Sequence, residues 1–179
     1  LDKHLVGKIN LNKLIKNKDI IKKLDGKINI SYNNKKFFTD LFENYSSDIN
    51  LAYGRLVFSN EISIIGGAIS CQGSSVLTDE FPRLNFVCIL NLQDKKKLFK
   101  KLSISKNINN EPISLNIEGS LNLLNKKINF NKINIDEGYT ANTEDIKYFK
   151  DVFERILFNE GFFKIFNKNK IKEFLIAII

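Results

Sequence analysis

Between Ile113 and Ile135 polar and apolar residues alternate, and this period of two restricts the fold more than any other feature. Ile113, Leu115, Ile117, Gly119, Leu121 and Leu123 fall on one side. Ser114, Asn116, Glu118, Ser120 and Asn122 fall on the other. A strand sends successive side chains to opposite faces, whereas a helix repeats every 3.6 residues. Asn125-Lys126 supplies a turn and Lys127 to Ile135 returns. The spacing therefore predicts a long antiparallel hairpin with one apolar face and one polar face.

The same alternation recurs along the chain. Gly7-Lys8-Ile9-Asn10-Leu11-Asn12 returns as Gly26-Lys27-Ile28-Asn29-Ile30-Ser31, and Lys127-Ile128-Asn129-Phe130-Asn131 echoes it. Such repeated strand units suggest a sheet extended by similar elements. Residues 12–24 read as a strand end and a short lysine-rich helix, 37–42 as helical or irregular, and 44–48 as a polar loop. Ile49 to Phe58 reads as one strand with a bulge at Gly54. Asn60-Glu61 reads as a turn, and the segment to Cys71 as the hairpin partner, with Gly66-Gly67 allowing a bend. Residues 72–75 read as a polar turn and Leu84 to Leu92 as a strand. Asp94 opens a short helix ending at Leu102.

After Asp136-Glu137-Gly138 the period changes to about 3.6. Asn142 or Thr143 caps a helix whose apolar stripe is Ile146, Phe149, Phe153, Ile156 and Leu157. Gly161 breaks it, a Phe-rich turn spans 162–166, and Asn167 caps a last helix with Ile171, Phe174, Leu175 and Ile178 on its stripe. The expected architecture is mainly β (α+β): a curved antiparallel amphipathic sheet forming a groove, with short helices and two C-terminal amphipathic helices. Residues 1–140 form the sheet region and 141–179 a helical cap, together one domain.

Composition narrows the function classes. With 43% hydrophobic residues and 15 Phe, the chain can bury enough apolar surface to fold. The longest uncharged apolar runs, 62–68 and 174–179, are too short to span a bilayer. The chain opens on Leu1 and contains no Met, so it is expected to be a C-terminal fragment of a longer protein. A net charge of +8 invites a nucleic-acid reading, but Arg55, Arg83 and Arg155 are the only arginines. Phosphate-clamping and base-reading surfaces favour the planar Arg fork. The lysines are read as a solvated surface, with no nucleic acid as partner. The tight run Lys95, Lys96, Lys97, Lys100 and Lys101 is the candidate for contact with anionic headgroups.

No catalytic constellation is legible. The lone His4 has no neighbouring acid, and no Gly-rich phosphate loop or HExxH pattern occurs. Asp79-Glu80, Asp136-Glu137 and Glu144-Asp145 fall at expected turns or a helix start. Cys71 and Cys88 lack metal-ligand spacing. Both lie in apolar strand-like segments, either as small buried hydrophobes or as a disulfide of an oxidising compartment. The expectation is a protein that is not an enzyme, with no cofactor and no metal.

The order of elements resembles the C-terminal region of the AsmA family. Its carriers are the Gly-Gly strand IIGGAISCQG, the phrase FPRLNFVCILNLQDKKKLFKKLSI, the hairpin ISLNIEGSLNLLNKKINFNKINID and the terminal segment EDIKYFKDVFERILFNEGFFKIFNKNKIKEFL. The likeness is strongest from Ile49 to Leu175. It implies a bacterial envelope protein on the periplasmic side of the inner membrane, attached through an N-terminal anchor that this sequence lacks. It further implies phospholipid carriage between inner and outer membrane, or a part in outer-membrane assembly.

An apolar sheet face must be covered or offered to something apolar. The candidates for a lipid groove are Leu56, Phe58, Ile62, Ile64, Phe86 and Leu90 on the central strands, and Ile113, Leu115, Ile117, Leu121, Ile128 and Phe130 on the hairpin. The same residues could instead pack beneath the terminal helices as a core. The alternative function is a structural module of the cell envelope that docks a protein partner through an open sheet edge or the terminal helices.

Overall fold

The computed structural model describes residues 17–37, 41–105, 111–125, 127–136, 138–158 and 167–178. Among these residues eight strands form one antiparallel sheet in which each strand pairs with its neighbours in sequence. They are β1 (Asp25–Phe37), β2 (Phe42–Ala52), β3 (Arg55–Ile64), β4 (Gly67–Val76), β5 (Arg83–Leu92), β6 (Ile113–Asn122), β7 (Ile128–Ile135) and β8 (Tyr139–Thr140). The helices are α1 (Lys18–Ile21), α2 (Lys95–Leu102), α3 (Thr143–Phe153) and α4 (Lys168–Ile178), with α3 continuing into a π-helical turn at Glu154–Phe158. The protein is thus mainly β, with a few short helices. The first copy of the repeat, at 7–12, and the 162–166 turn lie outside the described residues.

Several boundaries differ from the sequence expectation, each for a local reason. The expected single strand from Ile49 to Phe58 is two strands joined at Tyr53-Gly54. Tyr53 (φ 48°) and Gly54 (φ 89°) both adopt left-handed conformations, and Ala52 pairs with Arg55. A two-residue turn of this kind matches the strand twist and usually announces itself as Asn-Gly or Asp-Gly. Here a Tyr takes the first position and hides the signal. The turn expected at Asn60-Glu61 is the interior of β3; the true reversal is Ile65-Gly66, where Gly66 has φ 86°. The polar loop expected at 44–48 is paired strand, and the polar turn expected at 72–75 lies inside β4. Runs of Ser, Asn and Gln look like loops by composition, but they form the wet face of a paired strand equally well.

The helices start where capping chemistry directs. The Asp94 carboxylate accepts from the Lys97 amide at 2.9 Å, and Ser103 closes α2 with φ 55°. Asn142 accepts from the Glu144 and Asp145 amides at 2.8 and 2.9 Å, while Asp145 accepts in return from the Asn142 amide at 3.2 Å. This reciprocal box satisfies donors that the first helical turn leaves free.

Two buried clusters lie at opposite ends of one sheet face. At one end Leu98, Phe99 and Leu102 of α2 pack with Leu41, Phe42, Ile64 and Leu92, and Ile171 and Leu175 of α4 join them. At the other, Ile21 of α1 packs with Leu77 and Leu123 against Leu51, Leu56, Leu84 and Leu121. Each fully buried aliphatic or aromatic side chain stabilises by about 1.5–3 kcal/mol. Along the β7 side, Phe130, Phe153 and Phe174 stack edge to face at centroid distances of 5.6 and 6.1 Å, linking sheet, α3 and α4.

Candidate functional site

The register places all twelve groove candidates on one face. Opposite pairs in an antiparallel ladder share a face. Leu56 pairs with Ser75, Phe58 with Gly73, Ile62 with Ile69 and Ile64 with Gly67. The chain of pairs continues through Gly73–Phe86, Phe86–Gly119 and Gly119–Phe130, while Leu90 meets Leu115 and Leu121 meets Ile128. Cys88 meets Ile117, and Leu92 meets Ile113.

Burial divides these residues. Ile64 and Ile128 are buried, and Ile62, Leu90, Leu56 and Leu121 pack against the end clusters. Ile113, Leu115 and Ile117 are half-buried, as is Phe130 under Phe153. Ile49, Phe58, Phe86 and Ile117 lie between the two clusters, belong to neither and stay half-buried. The face is not uniformly apolar. Ser47, buried, donates its hydroxyl to Asn60 at 2.5 Å, so two polar groups on this face satisfy each other.

Across the middle of this face runs a row in which aromatic and glycine residues alternate: Phe58, Gly73, Phe86, Gly119, Phe130. A Cβ at Gly73 would lie 2.6 Å from the Phe58 ring, and one at Gly119 would lie 2.7 Å from the Phe86 ring. The rings therefore lie down over the glycines and fill the space that side chains would otherwise take. Beside this row Cys71 and Cys88, direct partners on β4 and β5 with Cα atoms 4.1 Å apart, form a disulfide. The sequence left that pairing open.

The lysine run is split by its helix. Lys96, Lys97 and Lys100 are exposed and Lys101 is half-buried, while Lys95 is buried at the helix start with 8% exposure. Lys95 is thus the member of the run removed from the surface. The Lys172 ammonium of α4 donates to the Ser103 carbonyl at 2.9 Å, bringing α4 against the end of α2.

A second feature escaped the sequence reading. An open recess of about 840 Å³ crosses the middle of the sheet on the opposite, polar face, from β1 to β7. Asn29, Asn50, Gln72, Ser74, Asn85 and Asn131 line it with their polar side chains. Among the described residues its charged groups are Lys27, Asp48 and Glu118. The alternation announces a polar face, but hydrophobic pattern alone does not tell a flat polar face from a hollow one.

Among the described residues no three His, Cys, Asp or Glu side chains gather as a metal site, and no helix is long and apolar enough to cross a membrane. Tyr139 has a perturbed phenol. The hydrogen bond it donates to Asp145 raises its pKa above the usual tyrosine value, with desolvation and the Asp145 charge acting in the same direction. No protein-family model, no curated protein and no solved structure matches the chain.

Proposed function

We propose that the chain is a non-catalytic, AsmA-like module that shelters phospholipid acyl chains on the apolar face of its sheet. The carrying observation is the band of half-buried Ile49, Phe58, Phe86 and Ile117 between two separate buried clusters. A face capped at both ends and thinly covered between them suits a groove. Acyl chains would lie along the band, each buried methylene contributing about 0.8 kcal/mol. The exposed Lys96, Lys97 and Lys100 at the α2 end would meet anionic headgroups. The disulfide supports an oxidising compartment, in keeping with the periplasmic side of the inner membrane in a bacterial envelope. On this reading the terminal helices are an amphipathic cap over one side of the groove, and transport between inner and outer membrane, or outer-membrane assembly, is the process served.

The test is lipid extraction and native mass spectrometry of protein purified in mild detergent. Stoichiometric phospholipid is expected, and its loss on Phe58→Asp or Ile117→Asp locates it. Lipid-free protein that also fails to take up added phosphatidylglycerol would end this reading. A second reading is favoured by the sheet edge: no described strand pairs with the outer side of β1. A free edge can bind a partner by strand addition. Cross-linking at Ser31 that captures an envelope protein, in lipid-free material, would select it.

A further inference from the structure

We infer that the recess on the polar face is a binding site for a linear, uncharged glycan, independent of any lipid on the other face. The first ground is shape. The hollow runs across seven strands, β1 to β7, and six interstrand spacings amount to about 29 Å. That length suits an extended chain of several sugar units better than a single small molecule.

The second ground is chemistry. Asn50, Gln72, Asn85 and Asn131 make no side-chain hydrogen bond among the described residues. Each amide offers an acceptor and two donors. A hydroxyl both donates and accepts, so a polyhydroxylated chain can pair with amides in either sense along the whole hollow. Ser59 and Ser74 add hydroxyls of the same kind, and Val57 and Val87 provide small apolar patches for the C–H faces of sugar rings.

The third ground is charge. The chain as a whole is strongly basic, yet among the described residues the recess is lined by one cation, Lys27, against two carboxylates, Asp48 and Glu118. That lining offers phosphate-bearing ligands no track of Lys and Arg side chains along which to neutralise their charges. The rings of Phe58 and Phe86 lie over Gly73 and Gly119 on the opposite face, so they give no stacking platform for bases inside the hollow.

The experiment is a titration of the isotope-labelled protein with cellohexaose, and separately with the hexamer of N-acetylglucosamine, followed by nuclear magnetic resonance. Saturable shifts of the Asn50, Gln72, Asn85 and Asn131 side-chain amides are expected with at least one of them. The double variant Gln72→Val, Asn85→Val keeps strand propensity and should bind at least about tenfold more weakly, at an unchanged melting midpoint. Ser70→Val, on the same face outside the hollow, should bind as the parent does. The inference is overturned by silence of these amides at millimolar concentrations of both sugars, or by undiminished affinity in the double variant. Saturable binding of oligothymidylate at the same amides overturns it equally.

Discussion

Gly119 has the Phe86 ring against one side and the Asn129 carbonyl of the next strand 2.6 Å from where a Cβ would stand. Gly119→Ala therefore forces both neighbours to move. It should destabilise the fold by about 1–3 kcal/mol, read from the midpoint of chemical denaturation. Glycine 119 was legible as part of the apolar alternation, but its role was not, because the ring over it comes from another strand. At Tyr139 the hydrogen bond to Asp145 favours the neutral phenol. Its folded pKa lies above its unfolded value of about 10, so the contribution to stability is complete below that value. It is lost as pH rises through the folded pKa. Ultraviolet titration should show the Tyr139 phenol ionising late, and Asp145→Asn should bring that ionisation down.

Among the elements, β4 and β5 are joined both by their ladder and by the Cys71–Cys88 bond, which closes a loop of sequence separation 17. Replacing both cysteines by serine should cost about 2–4 kcal/mol, seen as a lower melting midpoint that added reductant no longer shifts. Leu102, the most deeply buried residue of α2 at 1% exposure, ties that helix to the sheet. Leu102→Ala should cost about 2–5 kcal/mol in the same assay. Element type was largely readable: the 113–135 hairpin, the strand at 84–92 and the helices opened by Asp94 and Asn142 stand where alternation and caps put them. The reversals near residues 53 and 65 were misread. The first carries its left-handed conformation on a Tyr, and the polar stretches of β2 (Ser and Asn) and β4 (Ser, Gln and Gly) resemble loops until a partner strand is known.

At the scale of the molecule, the sequence shows that one sheet face is greasy; it does not show how far helices cover it, because coverage depends on where α1, α2, α3 and α4 dock. The polar recess was missed for the same reason, since hollowness belongs to the assembled sheet. If Lys96, Lys97 and Lys100 meet anionic headgroups, changing all three to Glu should abolish flotation with phosphatidylglycerol vesicles. Each lysine near such a surface contributes about 1 kcal/mol, and the parent's binding should fall with added salt.

The strictly sequential strand order has its own consequence for how such a protein can vary. Among the described strands every hydrogen-bonded neighbour is also a neighbour along the chain, so no crossover between them stitches distant parts together. A duplicated or deleted hairpin at either margin would change the breadth of the platform by about 10 Å and leave the remaining pairings untouched. Breadth is therefore an adjustable dimension, provided that the side chains a margin hairpin lends to the interior, such as Phe42 on β2 and Phe130 on β7, are replaced by others that fill the same space.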